Sequence, residues 1–302
     1  MKYDKYIYRP PKEYNSILLQ VTSGCTHNRC KFCGMYRYTQ FKIENIGQIE
    51  KDIIEASKSR YYRGVKRVFL LNGNAFVLST EKLLKIAELI HKHLPQVEVI
   101  ASYASIKDIS LKTDIELKKL KENGYNDLYL GIESGNEEAL KFIDKPNTAE
   151  EAVKQMQRLD KLGYNYYAMI LLGLMGKGVD VAKENGRLTG KMLSKVSPRA
   201  IFPMTLTIVP NTPLYTMRQK GEFKEASEYD KILELYEIIY NLECKKTVLV
   251  SMYHNSNILQ LKGILPNDKL MMLNQISNSL NILKNYTDEE LDNIINRDNL
   301  TL

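Results

Sequence analysis

The chain has no tryptophan and only four cysteines in 302 residues. It has no long apolar run either. The longest, YYAMILLGLMG at 166–176, is too short to span a bilayer as a helix. The first residues, MKYDKYIYRPPKEYN, are polar, carry two prolines and contain no apolar stretch of the kind a secretory signal needs. These absences predict a cytoplasmic protein with no membrane partner, where cysteines are more often metal ligands or catalysts than disulfides. A clustered basic stripe is missing too. The net charge of +7 comes from lysines scattered along the whole chain, which read as a solvated surface; RNA is kept as a less favoured partner. There is no linker, low-complexity segment or short repeat.

What is present is alternation. Apolar runs at 16–22, 65–73, 97–104, 127–134, 165–173 and 200–209 read as strands. Amphipathic stretches at 46–59, 79–94, 111–124, 147–163 and 179–196 read as helices between them. Ser79 and Thr80 stand where a helix cap belongs, and Glu81 puts a carboxylate in the first turn. Asn123-Gly124 and Leu162-Gly163 read as helix stops. Six strand–helix repeats predict parallel strands with right-handed crossovers, in a barrel-like or an open sheet. No GxGxxG follows the first strand; a cysteine-bearing loop stands there instead. In a barrel, chemistry sits on the loops after the strand ends, which is where residues 25–36 fall. Beyond residue 210 the pattern changes to a turn, a helix at 226–243, a short strand at 246–254 and further helices.

Three of the four cysteines fall within nine residues, in VTSGCTHNRCKFCGMY, with the spacing Cys25-x4-Cys30-x2-Cys33. Four readings compete. A structural zinc needs four closed ligands, with His27 as the fourth in an awkward position and no second knuckle. A plant-type [2Fe–2S] site matches the spacing, with Cys244 as a distant fourth ligand. Buried thiols clustered by coincidence do not suit a loop bearing Gly, Asn and Arg. A [4Fe–4S] cluster held by three thiolates leaves one iron open, and S-adenosylmethionine (SAM) is the cofactor that uses such an opening for radical chemistry.

On these residues the sequence resembles the radical SAM superfamily, with one residue more in the first gap than the usual CxxxCxxC. Phe32 matches the aromatic before the last cysteine. LNGNAF places Asn72, Gly73 and Asn74 where the family has Gly-Gly-Glu for the SAM amino group. LGIESGNEEALKFIDKPNT resembles a segment shared by methylthiotransferases and oxygen-independent coproporphyrinogen oxidases. There the resemblance implies that Glu133 bonds the SAM ribose or amino end and that Lys145 faces its carboxylate. MILLGLMG resembles the segment flanking adenine, around Leu171 and Gly173, and LTIVPNTPLY (206–215) resembles the end of that subgroup's sixth strand. The resemblance covers about residues 15–215.

It implies an α/β fold, a partial (β/α)6 TIM-like barrel with a mainly helical C-terminal extension. The core would span 1–215 and the packed extension 216–302. It further implies a [4Fe–4S] cluster on Cys25, Cys30 and Cys33 that reductively cleaves SAM to a 5′-deoxyadenosyl radical. That radical would take hydrogen from a small-molecule substrate, with electrons from an external reductase, flavodoxin or ferredoxin. Tyr36, Tyr38, Tyr103 and Tyr253 read as core or rim residues. His254, in the polar segment SMYHNSN, is a candidate general acid or base. The competing reading is an iron–sulfur electron carrier or sensor that never cleaves SAM, and the missing acidic residue at 72–74 is its best support.

Overall fold

The structure, a computed structural model, describes residues 1–4, 7–251, 259–287 and 290–291. His254 and Tyr253 lie outside the described residues. The first half of the chain forms β1 (Ile17–Gln20), β2 (Thr22–Ser23), β3 (Lys42–Ile43), α1 (Ile46–Lys58), β4 (Arg67–Leu71), α2 (Thr80–His93), β5 (Val99–Ala104), α3 (Ile106–Ser110), α4 (Asp114–Glu122) and β6 (Tyr125–Glu133). The second half forms α5 (Glu137–Phe142), α6 (Ala149–Lys161), β7 (Asn165–Leu172), α7 (Val179–Leu193), β8 (Ala200–Thr205), α8 (Pro213–Gln219), α9 (Glu228–Asn241), β9 (Thr247–Val250), β10 (Lys262–Leu265) and α10 (Lys269–Leu283).

Eight strands share one mostly parallel sheet in the order β1-β4-β5-β6-β7-β8-β9-β10. Ile17 pairs Val68, Arg67 pairs Val99 and Tyr167 pairs Ala200, all in parallel register. The final strand, β10, runs antiparallel to β9. The six expected strands therefore form, in the α/β arrangement expected. Their apolar runs are buried almost end to end, as helix-covered parallel strands require.

Helix boundaries follow local capping chemistry. Ser79 accepts the Lys82 amide at the start of α2, and His91, Lys92 and His93 sit in its last turn, where the helix dipole favours cations. The helix expected at 111–124 forms as α4, trimmed to Asp114–Glu122, and a separate short helix, α3, precedes it; each is opened by its own capping box. Ser105 with Asp108 opens α3, and Thr113 with Glu116 opens α4. The strand expected over 200–209 stops at Thr205; beyond it Pro210 removes a donor and Asn211 turns left-handed at φ +65°.

The chain packs as two compact units. The first comprises Met1–Asn28, Tyr38–Gly131 and Arg158–Tyr166. Its interior holds Phe69, Tyr103 and Tyr129 edge to face, with ring centroids 5.3–6.0 Å apart. The second comprises Arg29–Arg37, Ile132–Gln157 and Tyr167–Leu302. One of its apolar clusters is Ile143, Leu171, Leu174, Leu206, Ile208, Leu214 and Phe223. In the same unit α7 lies against α9 at backbone distance. A Cβ at Gly186 would meet the Glu234 carbonyl at 2.5 Å, and one at Gly190 the Ile238 carbonyl at 2.6 Å. Glycine inside a helix is unfavourable alone and is tolerated here because the approach excludes any side chain.

Candidate functional site

In the first unit, the loop after β4 grips the start of the cysteine segment. The Gly73 amide donates to the Gly24 carbonyl at 3.1 Å. A Cβ at Gly73 would lie 2.7 Å from Cys25 Cβ and 2.8 Å from the Gly24 carbonyl, so only glycine fits. Asn74 Oδ1 accepts the Thr26 amide at 3.2 Å, while its Nδ2 donates to Thr26 Oγ1 at 2.7 Å and to both Asp108 oxygens at 3.2 Å. Burial pushes the Asp108 carboxyl up, against hydrogen bonds from Ser105 and Asn74. Asn72 is fully buried and left-handed, at φ +76°. Its Nδ2 donates to the Thr22 carbonyl at 2.7 Å, and its Oδ1 is a buried acceptor with no partner. Gly73→Ala is accordingly expected to push the Cys25 turn aside. We expect a loss of about 1–3 kcal/mol in chemical denaturation and reduced iron uptake on reconstitution. Full iron loading at unchanged stability would show that the loop yields instead.

In the second unit, Cys30 and Cys33 form a tight turn, with the Cys33 amide on the Cys30 carbonyl at 3.2 Å. Arg37 Nη2 ties the turn, donating to the Cys30 carbonyl at 2.9 Å and the Cys33 carbonyl at 3.3 Å. Its Nε is buried without a hydrogen-bond partner. Lys31 exchanges backbone bonds with Ile143 and Leu214, and its ammonium lies 4.9 Å from the centre of the Phe142 ring. Phe32 packs against the apolar cluster that contains Leu171. The aromatic between the cysteines thus anchors the turn to the core.

Glu133 closes β6 in the left-handed region, φ +65°, which a non-glycine residue enters only when its surroundings hold it there. Lys145 Nζ donates to Glu133 Oε1 at 2.7 Å, with both side chains largely buried. The next residues bind α7. Ser134 Oγ donates to Asn185 Oδ1 at 2.8 Å, the Gly135 amide donates to Thr189 Oγ1 at 2.9 Å, and a Cβ at Gly135 would meet the Leu188 carbonyl at 2.7 Å. Gly173, after β7, is left-handed too, φ +85°, and its amide donates to Glu234 Oε2 at 2.9 Å. Burial raises the Glu234 carboxyl to about 7, against the Gly173 amide, Asn185 and Lys231.

Several predicted residues therefore meet: Gly73 and Asn74 with the Cys25 turn, Phe32 with the apolar cluster that includes Leu171, and Glu133 with Lys145, while Asn72 bonds the Thr22 carbonyl. Asp108, Arg37, Glu234 and Lys231 were not expected. Only Asp108 left a local trace, the Ser105-x-x-Asp108 capping box. Cys244, just past α9, is half-buried; burial raises its thiol and Lys269 opposes the shift.

None of the four cysteines is in a disulfide. Among the described residues no three His, Cys, Asp or Glu side chains converge on a position for a single metal ion. A cubane cluster spreads its thiolates over separate irons and makes no such demand. Partly exposed thiols, a glycine cradle beside Cys25 and an unpartnered guanidinium N–H on the C-x2-C turn fit a group of that kind. No helix among the described residues is long and apolar enough to cross a membrane.

Residues 19–181 match the Radical SAM superfamily. The heme chaperone HemW of Buchnera aphidicola (subsp. Schizaphis graminum) is 24% identical over 218 residues, 68% of this chain and 56% of that protein. The chain spans about half the length of the curated relatives it matches. Coproporphyrinogen III oxidase (HemN) from Escherichia coli, a radical SAM enzyme, superposes with a TM-score of 0.54 at 16% identity, over 74% of this chain and 51% of that one. The methyltransferase TsrM from Kitasatospora setae, solved with cobalamin and a [4Fe–4S] cluster, gives 0.54 at 14% identity, over 67% and 39%. These likenesses show the fold, an α/β partial TIM-like barrel with extra helices.

Proposed function

The chain belongs to the Radical SAM superfamily, a superfamily of enzymes, and from that membership we propose that it binds a [4Fe–4S] cluster through Cys25, Cys30 and Cys33 and cleaves SAM reductively. The observation that carries this reading is the three-thiol loop itself. It follows the first strand, inside the matched segment, with its Cys25 turn clasped by Gly73 and Asn74. When bound, the cluster and SAM would supply radical chemistry able to take hydrogen from a small-molecule substrate. This chain's residues bind and orient. Asn72 Oδ1 offers a buried acceptor to the SAM amino group. Glu133 and Lys145 hold the ribose or amino end and the carboxylate, exchanging their mutual ion pair for bonds to the ligand. Leu171 and Gly173 flank adenine. His254 acts as acid or base toward the substrate. An external reductase, flavodoxin or ferredoxin in the cytoplasm delivers the electron.

Anaerobic reconstitution with iron and sulfide tests this. After reduction, the EPR signal is expected to shift on adding SAM, and 5′-deoxyadenosine should accumulate. A cluster whose spectrum ignores SAM, with no 5′-deoxyadenosine, would leave the second reading, an iron–sulfur electron carrier or sensor that never cleaves SAM. That alternative draws on two observations. Asn74 is committed to Thr26 and Asp108, and no acidic residue stands at 72–74. Relatives named heme chaperones are compatible with it.

A further inference from the structure

The turn that follows β7 holds three left-handed glycines in six residues: Gly173, Gly176 and Gly178, at φ +85°, +81° and +147°. Such a turn has little preference for one shape on its own, because glycine populates this region freely. Its shape is imposed from the segment 223–234. The Gly173 amide donates to Glu234 Oε2 at 2.9 Å. The Lys177 amide donates to the Lys224 carbonyl at 2.9 Å, and the Gly178 amide to Asp230 Oδ2 at 3.2 Å. A Cβ at Gly176 would lie 2.5 Å from the Lys224 carbonyl, and one at Gly173 3.2 Å from the Lys231 stem.

Glu234 is itself held. It is 3% exposed, and Asn185 Nδ2 donates to its Oε1 at 2.5 Å. Asn185 in turn accepts from Ser134 Oγ, directly after Glu133. Lys231, fully buried one turn before Glu234, pairs with Glu228 at 3.0 Å and Glu225 at 3.3 Å. One chain of hydrogen bonds therefore links the end of β6, α7, α9 and the end of β7. Helix α9 lies beyond the segment matched to the superfamily, which ends at residue 181.

We propose that Glu234 is a positioning residue for the adenosyl part of SAM, acting through the Gly173 amide to fix the 173–178 turn. The inference rests on the reading that this turn flanks adenine. A buried carboxylate accepting a backbone amide holds a glycine turn in a single state, so the ligand does not have to order it on binding.

The test uses the full chain with its cluster reconstituted. Glu234→Gln keeps the shape but puts an amide N–H against one of the two donors. Three changes are expected. Amide hydrogen exchange across 173–178 quickens even before reconstitution. The Kd values for SAM and for 5′-deoxyadenosine rise about tenfold, the equivalent of about 1.4 kcal/mol. Iron content and the Kd for methionine alone stay at wild-type values, which a general loss of structure would not allow. If Glu234→Gln does not fold, Glu234→Asp withdraws the carboxylate by one methylene and is expected to move the same readouts. Equal 5′-deoxyadenosine affinity in variant and wild type overturns the inference. A wild-type chain that binds its cluster but neither SAM nor 5′-deoxyadenosine overturns the reading beneath it instead.

Discussion

Alanine at any one of Cys25, Cys30 or Cys33 is expected to abolish the cluster, whereas Cys244→Ala is expected to keep it. The argument is one of ligand count. A cluster with three protein thiolates already has one iron without a protein ligand, so losing another leaves two. Reconstituted iron should fall from about four atoms per chain to well under one in each of the three variants. The broad visible absorbance should vanish with it, and 5′-deoxyadenosine formation should drop to background. Cys244 has a different environment. It is half-buried, burial raises its thiol, and Lys269 is the charge that opposes this. A thiol kept protonated is a poor metal ligand. The four variants together separate the alternatives left open by the spacing. A ferredoxin-like site with Cys244 as fourth ligand would lose its cluster in Cys244→Ala as well. A zinc site would show no iron in the parent. Retention of a full cluster by any of the three loop variants would sink the ligand assignment.

How much of this was readable in advance divides by sequence distance. The cysteine loop, the six strands and the caps of α2 depend on residues within a few positions of one another, and they stand where periodicity and spacing put them. Helix α4 stands within the 111–124 expected for it; the short α3 before it left only the local Ser105–Asp108 capping box, because five residues are too few to show an amphipathic period. What could not be read was partnership. Asn74 and Asp108 are 34 residues apart, and Gly173 and Glu234 are 61. No pattern in either segment names the other. The expectation that Asn72 and Asn74 act alike illustrates the difference. Both are turn residues beside a glycine, yet the fold spends Asn74 on its own chain and leaves Asn72 with a buried, unpartnered oxygen. Glu133 and Lys145 are expected together as contacts of one ligand, and the fold pairs them directly, at 2.7 Å.

Loss of the Arg67 guanidinium should be the most damaging single change to the fold. Arg67 opens β4 in the first unit and serves two buried carboxylates. Its Nη2 donates to Glu13 Oε1 at 2.6 Å and to Asp127 Oδ2 at 2.9 Å, across 54 and 60 residues of chain. The Glu13 side chain has no exposed surface and that of Asp127 has 4%. Ser16 and Tyr129 also donate to Glu13, each at 2.5 Å, and Asn165 donates to Asp127 at 3.0 Å. Burial alone would lower the pKa of the guanidinium, but Glu13 and Asp127 reverse this and hold it above its ordinary value. For Asp127, burial pushes up, and Arg67, Asn165 and Lys12 outweigh it, so the carboxyl sits below the usual range. Arg67→Met keeps much of the stem's volume and removes the charge, which takes the guanidinium from Glu13 and leaves Asp127 with the Asn165 hydrogen bond and the more distant Lys12 at 3.6 Å. Breaking a buried pair from one side costs about 3–5 kcal/mol, and the melting midpoint should fall by on the order of 10 °C. The sign of the pH dependence follows from Asp127. A depressed folded pKa contributes stability that is present above the unfolded carboxylate value and is lost as pH falls through the folded value. The wild type should therefore lose this contribution on acidification. In Arg67→Met, Asp127 binds its proton more readily in the folded state, which relieves the buried charge. The stability gap between the two proteins should thus be widest near pH 7 and narrow towards pH 4. Denaturation midpoints measured across that range decide the matter: a gap that stays constant, or a variant that melts with the wild type at pH 7, would mean that Arg67 does not hold these carboxylates in place.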